Sequence, residues 1–336
     1  MAASTDLFAR RNRARIVAVV VIAACNYVLS VALAAVGVAL SLVLLAIFKL
    51  DIWPDSVEVL ELMGYGIGGI CALAFAVGFF AALVRIPFAR RNLERRVLEE
   101  TGATVIADDA HREVRNLLEG LAIAAGITPP RYAVIDDAAP NSFGVGTKPK
   151  DAIVAVTTGL CDELSRDEVE AVLAYEITRI RSYDVALASW TVALTGGAIS
   201  ALDSDGGLVS GIVGFVPRRV ADWLQVWALH DQGIERDRAA VRFTRNPASL
   251  LRALEKLDAD ATQVGRVTRA TAPLWIEFPA KVLADSPTRA TRRLSESLLL
   301  DERIAALRTL GHLGRPEPPD LDAADVLGHA RFDTRE

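Results

Sequence analysis

Cysteine, methionine and histidine are all scarce in this 336-residue chain, at three, two and four residues. Cys25, Cys71 and Cys161 lie far apart, two of them in apolar runs, which excludes both a disulfide framework and a C-x-x-C metal site. They read as buried thiols. Aromatics make up only 6% of the chain, and no basic stripe is interleaved with them, so a nucleic-acid surface is excluded. Charge of either sign is absent from residues 16–48 and again from 63–84. Each run exceeds the ~20 residues that cross a bilayer, and the first is too long for a signal-peptide core.

What is present fits a membrane anchor joined to a second, polar part. The mean hydropathy of +0.30 and 52% hydrophobic content are high for an ordinary soluble enzyme, while 24% charged residues exclude a wholly embedded protein. Arg10, Arg11, Arg13 and Arg15 precede the first run, and Arg85, Arg90, Arg91, Arg95 and Arg96 follow the second. The intervening loop carries Asp51, Asp55, Glu58 and Glu61 against Lys49. The positive-inside rule then places both ends in the cytoplasm, in a multi-pass protein of the plasma membrane. The organisation expected is a basic N-terminus (1–15), a first transmembrane helix (16–48), an acidic external loop (49–62), a second transmembrane helix (63–84), a cytoplasmic domain (85–314) and a flexible, Pro- and acid-rich tail (315–336).

Within the domain, 92–100 and 110–125 read as helices, the latter closed by Gly126 and Pro129-Pro130. Residues 132–135 and 153–157 read as strands, with 141–146 an extended edge segment between them. The stretch 185–217 is apolar and broken by Asp203-Ser204-Asp205, giving either a second membrane hairpin or core helices. Trp190, Trp223, Trp227 and Trp275 suit either a membrane interface or a core. Asn246-Pro247 starts a further helix, and 302–310 is the last. The fold class is α+β: mostly helical, with a small sheet.

The most informative stretch is 165–184. Ser165 and Glu168 form an S-x-x-E capping box ahead of apolar residues at three- and four-residue steps, which predicts an amphipathic helix. On its third turn lies Tyr175-Glu176-Ile177-Thr178-Arg179. With histidine at both ends this would be H-E-x-x-H, whose imidazoles grip zinc while the Glu acts as general base. Without them, Glu176 and Arg179 read equally as a polar pair on a core helix.

Several segments together resemble the HtpX-type membrane zinc metalloproteases: 136–143 with Pro140-Asn141-Ser142-Phe143, 155–160, the helix ending in Tyr175-Glu176, then Asp184, Asp237 with the following Ala-rich turn, Asn246-Pro247, and 302–310. The resemblance implies a zincin-like cytoplasmic domain, with Glu176 matching the general base and Asp184 and Asp237 in structural roles. It also implies that the family's zinc ligands fall at Tyr175, Arg179 and Gly233, with a looser histidine position at Ser297. A phenol is a poor ligand at neutral pH, a guanidinium is none, and glycine has no side chain. The expectation is therefore a pseudoprotease that has no metal cofactor, although zinc serves the family, and in which Arg179 takes the place of the metal. Its expected partners are membrane lipid and polypeptide or membrane-protein segments, engaged through the edge residues Asn141, Ser142, Phe143 and Gly144, or an active protease that it regulates; nucleic acid is not among them. The rivals are a zinc endopeptidase with ligands relocated to His230, Asp231 or Glu235, and a purely structural membrane protein.

Overall fold

In hydrocarbon a backbone satisfies its N–H and C=O groups within a helix or a closed barrel, so each uncharged run takes helical form. A computed structural model describes residues 2–50, 57–106, 111–203, 208–229, 233–285, 288–296 and 300–313. The tail 315–336 and His230, Asp231 and Ser297 lie outside them. Helix α1 (Ala2–Leu50) packs antiparallel to α2 (Val57–Thr101). Two described stretches, Ala9–Leu40 and Gly68–Thr101, are long and apolar enough to cross a membrane. Gly78 permits their close approach, since a Cβ there would lie 3.3 Å from the Val28 backbone.

The helix expected over 92–100 is no separate element; it is the end of α2, which runs on through Pro87. Leu93 and Val97 are buried with Val19 of α1, with Ile16 and Val20 packed around them. That apolar seam keeps the helix intact while its arginines face outward.

The sheet has order β1-β2-β4-β3, with β1 (Thr104–Val105), β2 (Arg131–Ile135), β3 (Ser142–Val145) and β4 (Ile153–Thr157). β2 and β4 are parallel and the other pairs antiparallel. Phe143, Val145, Ile153 and Ala155 face one core, whereas Tyr132, Val154 and Val156 face another. Between the strands, helix α3 (Arg112–Ala125) ends at Gly126, whose φ of 69° is the left-handed conformation of a helix stop. The short helix α4 (Thr158–Glu163) is capped by Thr157, whose hydroxyl accepts from Leu160 N–H at 3.2 Å.

Helix α5 (Arg166–Arg181) lies on the second face of the sheet, beside β3. Its capping box forms: the Ser165 N–H donates to Glu168 at 2.8 Å, and the same carboxylate takes Lys256 at 2.7 Å. The amphipathic expectation fails at the third turn, where Tyr175, Glu176, Thr178 and Arg179 are buried along with the apolar residues. Over 185–217, where the sequence leaves both a membrane hairpin and core helices open, helices α6 (Asp184–Asp203) and α7 (Leu208–Leu229) pack against each other and against α1. Asp184 to Thr195 is almost wholly buried, so this arm begins as a core helix. Helices α8 (Gly233–Thr244), α9 (Pro247–Ala259, capped by Asn246 as expected), α10 (Ala280–Asp285), α11 (Arg289–Glu296) and α12 (Leu300–Leu313) complete the described elements. Trp275 belongs to the core, whereas Trp223 and Trp227 are exposed and stacked 6.0 Å apart.

Candidate functional site

Glu176 and Arg179 stand one helical turn apart on α5, and their side chains are 0% and 1% exposed. The Arg179 Nη1 donates to both Glu176 oxygens, at 3.0 and 3.2 Å. Its Nε donates to Asp184 at 3.0 Å. The turn between the two residues explains that reach: Tyr183 adopts φ 61°, uncommon for a bulky side chain, and this reverses the chain so that Asp184 folds back toward α5. Arg236 of α8 adds a second cation, with Nη2 donating to Asp184 Oδ1 at 2.8 Å. Two buried carboxylates thus face two buried guanidiniums, the compensation that buried charge requires.

The electrostatics are uneven. Burial pushes the Glu176 carboxyl above its ordinary range, offset only in part by Arg179 and by the Ser142 hydroxyl, which donates to it at 3.3 Å. Burial alone would raise Asp184 too, yet Arg236 and Arg179 hold it below its usual value. Glu176 is the strained member of the group.

Tyr175 lies between two cations, its ring 5.6 Å from the Arg179 guanidinium and 5.3 Å from that of Arg303 on α12. Its hydroxyl is buried and has no hydrogen-bond partner among the described residues, and the same holds for Arg179 Nη2. Arg303 grips Asp237 through two bonds of 2.8 Å, which fixes α12 to α8. Gly233 is buried at the start of α8. Glu235 is engaged at the surface by Arg238, at 2.8 Å.

These residues do not fit a catalytic zinc. Such a site needs three ligands and an open position for water. The positions that resemblance assigns to them hold a phenol, a guanidinium and a glycine, and among the described residues no three His, Cys, Asp or Glu side chains converge. A dication about 4 Å from the Arg179 charge would meet a repulsion of about 8 kcal/mol at an effective dielectric of 20.

The edge strand β3 is occupied by the chain itself. Trp275 pairs with Phe143 as an isolated antiparallel bridge, their rings meeting edge-on at 4.8 Å. Ile276 N–H donates to Ser142 O at 2.8 Å, and the Asn141 side chain bonds Glu277 through both its amide groups, at 3.2 and 3.4 Å. Two arginines fasten this strap: Arg179 Nη1 donates to Leu274 O at 3.1 Å, and Arg303 Nη1 to Ile276 O at 2.8 Å. Asn141, Ser142, Phe143 and Gly144 are consequently all buried. Gly144 is needed where it is, because a Cβ there would sit 2.8 Å from Val185 and 3.0 Å from Glu176. Sequence reasoning missed Arg236, Arg303 and the strap. Their only local trace was the position of each arginine beside a motif, next to Asp237 and within 302–310.

At the end of the strap Glu277 is pushed up to about 7 by burial and by Asp258 and Asp260, with Arg303 pulling the other way. Its folded value lies above its ordinary 4.5, so the stability tied to its protonated form is complete below that value and is lost as pH rises through about 7. Thermal unfolding of the detergent-solubilised protein should therefore fall between about pH 5 and pH 8. Glu277→Gln should flatten that slope and gain on the order of 2 kcal/mol at the alkaline end.

Comparison with known proteins follows the same outline. The model of peptidase family M48 matches residues 108–309. A protease HtpX homolog of Dictyoglomus thermophilum is 31% identical over 272 residues, covering 76% of this chain and 85% of the relative. The corresponding protein of Dictyoglomus turgidum is 29% identical over 71% of this chain and 83% of its own length. That of Streptococcus gordonii is 30% identical over 65% and 80%.

Proposed function

The chain belongs to peptidase family M48, among the HtpX-like members, and from that premise we propose that it is a membrane-anchored, non-hydrolytic member of the family. The observation that carries this reading is the Arg179 guanidinium, fully buried and bonded at once to Glu176, Asp184 and the Leu274 carbonyl. Zinc lowers the pKa of bound water to about 7, and Glu176 without such a water has no proton to take at neutral pH. Here the carboxylate serves as the counter-ion of an arginine.

Both long helices cross the plasma membrane with the N-terminus and main domain cytoplasmic, as their flanking arginines support. The protein acts on polypeptide or membrane-protein segments by binding, or on an active protease by regulation. Pairing of a partner strand with Asn141–Gly144 would require residues 274–277 to leave, so engagement runs through other surfaces while the strap is seated.

Metal analysis of the purified full-length protein, run beside a casein-cleavage assay, tests the reading. The expected result is well under one zinc per chain and no chelator-sensitive cleavage. About one zinc per chain, lost on His230→Ala and accompanied by cleavage, would establish instead an active endopeptidase with relocated ligands.

A further inference from the structure

Helices α1, α2, α6 and α7 meet around a cavity of about 280 Å³, remote from the Glu176 cluster. Ala82 and Leu224 make part of its apolar wall, and Asn26, Tyr27 and Arg85 bring polar groups to it. Its height relative to the bilayer follows from the sequence. Arg85 is the first charge after the uncharged run 63–84, and Arg90 and Arg91 follow within two turns. The cavity therefore lies where hydrocarbon gives way to headgroups, a placement that rests on the membrane reading above. Exposed Phe88, Trp223 and Trp227 belong to the same end of the bundle, with Arg15 5.9 Å from the Trp227 ring.

Two groups at this cavity lack partners of the kind they need. The Arg85 guanidinium lies 5.1 Å from the Tyr27 ring and, among the described residues, has no carboxylate partner. Asn26 Oδ1 is buried and, among the described residues, has no donor. The neighbouring hydroxyls do not supply one: Ser30 donates to the Asn26 backbone carbonyl at 2.6 Å, and Thr195 donates to Thr191 O at 2.7 Å while accepting from Gln225 at 3.0 Å. The site offers one cation and one acceptor above an apolar groove.

We propose that this cavity binds a phospholipid whose headgroup carries both an anionic phosphodiester and a hydrogen-bond donor, phosphatidylglycerol being the fitting type. The phosphate pairs with Arg85, a glycerol hydroxyl donates to Asn26 Oδ1, and the acyl chains follow the groove into the hydrocarbon. Phosphatidylcholine has the phosphate but neither the net charge nor the donor.

Native mass spectrometry of the full-length protein, offered equal amounts of phosphatidylglycerol and phosphatidylcholine in detergent, tests the site. Phosphatidylglycerol should be retained in roughly tenfold preference. Arg85→Gln should abolish that preference, Arg85→Lys should keep part of it, and Asn26→Leu should reduce it. Equal retention of the two lipids, or an unchanged preference in Arg85→Gln, would overturn the proposal. Alkaline carbonate washing of membranes separates the two levels of the argument. Protein that stays in the pellet but shows no lipid preference loses only the lipid site, whereas protein released by the wash loses the membrane reading and the site with it.

Discussion

Arg179→Met should destabilise the protein by about 3–5 kcal/mol, read as a fall in thermal or denaturant midpoint in detergent. The substitution removes the cation that compensates Glu176 in a fully buried place and leaves the Leu274 carbonyl without its donor. Arg236 would keep Asp184 partnered, so the loss falls on Glu176, the carboxyl that burial already pushes upward. The double variant Arg179→Met/Glu176→Gln should recover most of the loss, since a neutral amide does not need a counter-charge. If the double variant were as unstable as the single one, packing of the arginine stem and not charge compensation would be the cause.

Arg303→Met should cost a similar amount, about 3–5 kcal/mol, by a different route. It deprives Asp237 of both its bonds and the Ile276 carbonyl of its donor, so α8, α12 and the strap lose their common fastener. Arg303→Lys should recover less than half, because one ammonium cannot reproduce a two-pronged guanidinium fork that also reaches a carbonyl. Limited proteolysis adds a readout of place: cleavage near residues 274–277 should rise in Arg303→Met. Protection unchanged from wild type would show that the strap is held by its own apolar burial, through Leu274, Trp275 and Ile276, and not by the arginine.

Sequence and structure agree where the determinants are local. The capping box at Ser165, the Asn246 cap, the Gly126 stop and the strand 153–157 all depend on residues within a few positions of one another, and all stand where periodicity and capping chemistry put them. The resemblance to HtpX-type proteases likewise agrees with the M48 match. What could not be read was set by distant partners. The bonds from Asn141 to Glu277 join residues 136 positions apart, and nothing in the pattern of 271–278 marks it as a cover for β3. Burial of Arg179 was legible only as a conjecture, because a guanidinium on a helix is ordinarily solvated; it takes Asp184, Arg236 and the strap, folded around it, to keep it inside. The continuity of α2 was hidden for the same reason: its arginine-rich half reads as a new helix unless Val19 is known to lie opposite Leu93 and Val97.

Helix α1 does more than tether. Asn12 donates to the Ser182 carbonyl at 2.9 Å, Arg13 lies 4.4 Å from the Tyr183 ring, and Val19 shares a core with Leu93 and Val97. The leading segment of the chain is therefore a buttress for the turn that presents Asp184 to Arg179. A recombinant fragment trimmed to the family-matched region would lack that buttress and expose the apolar surface it covers, so its properties would describe a different molecule; solubilisation of the intact chain is the route that preserves the charge cluster.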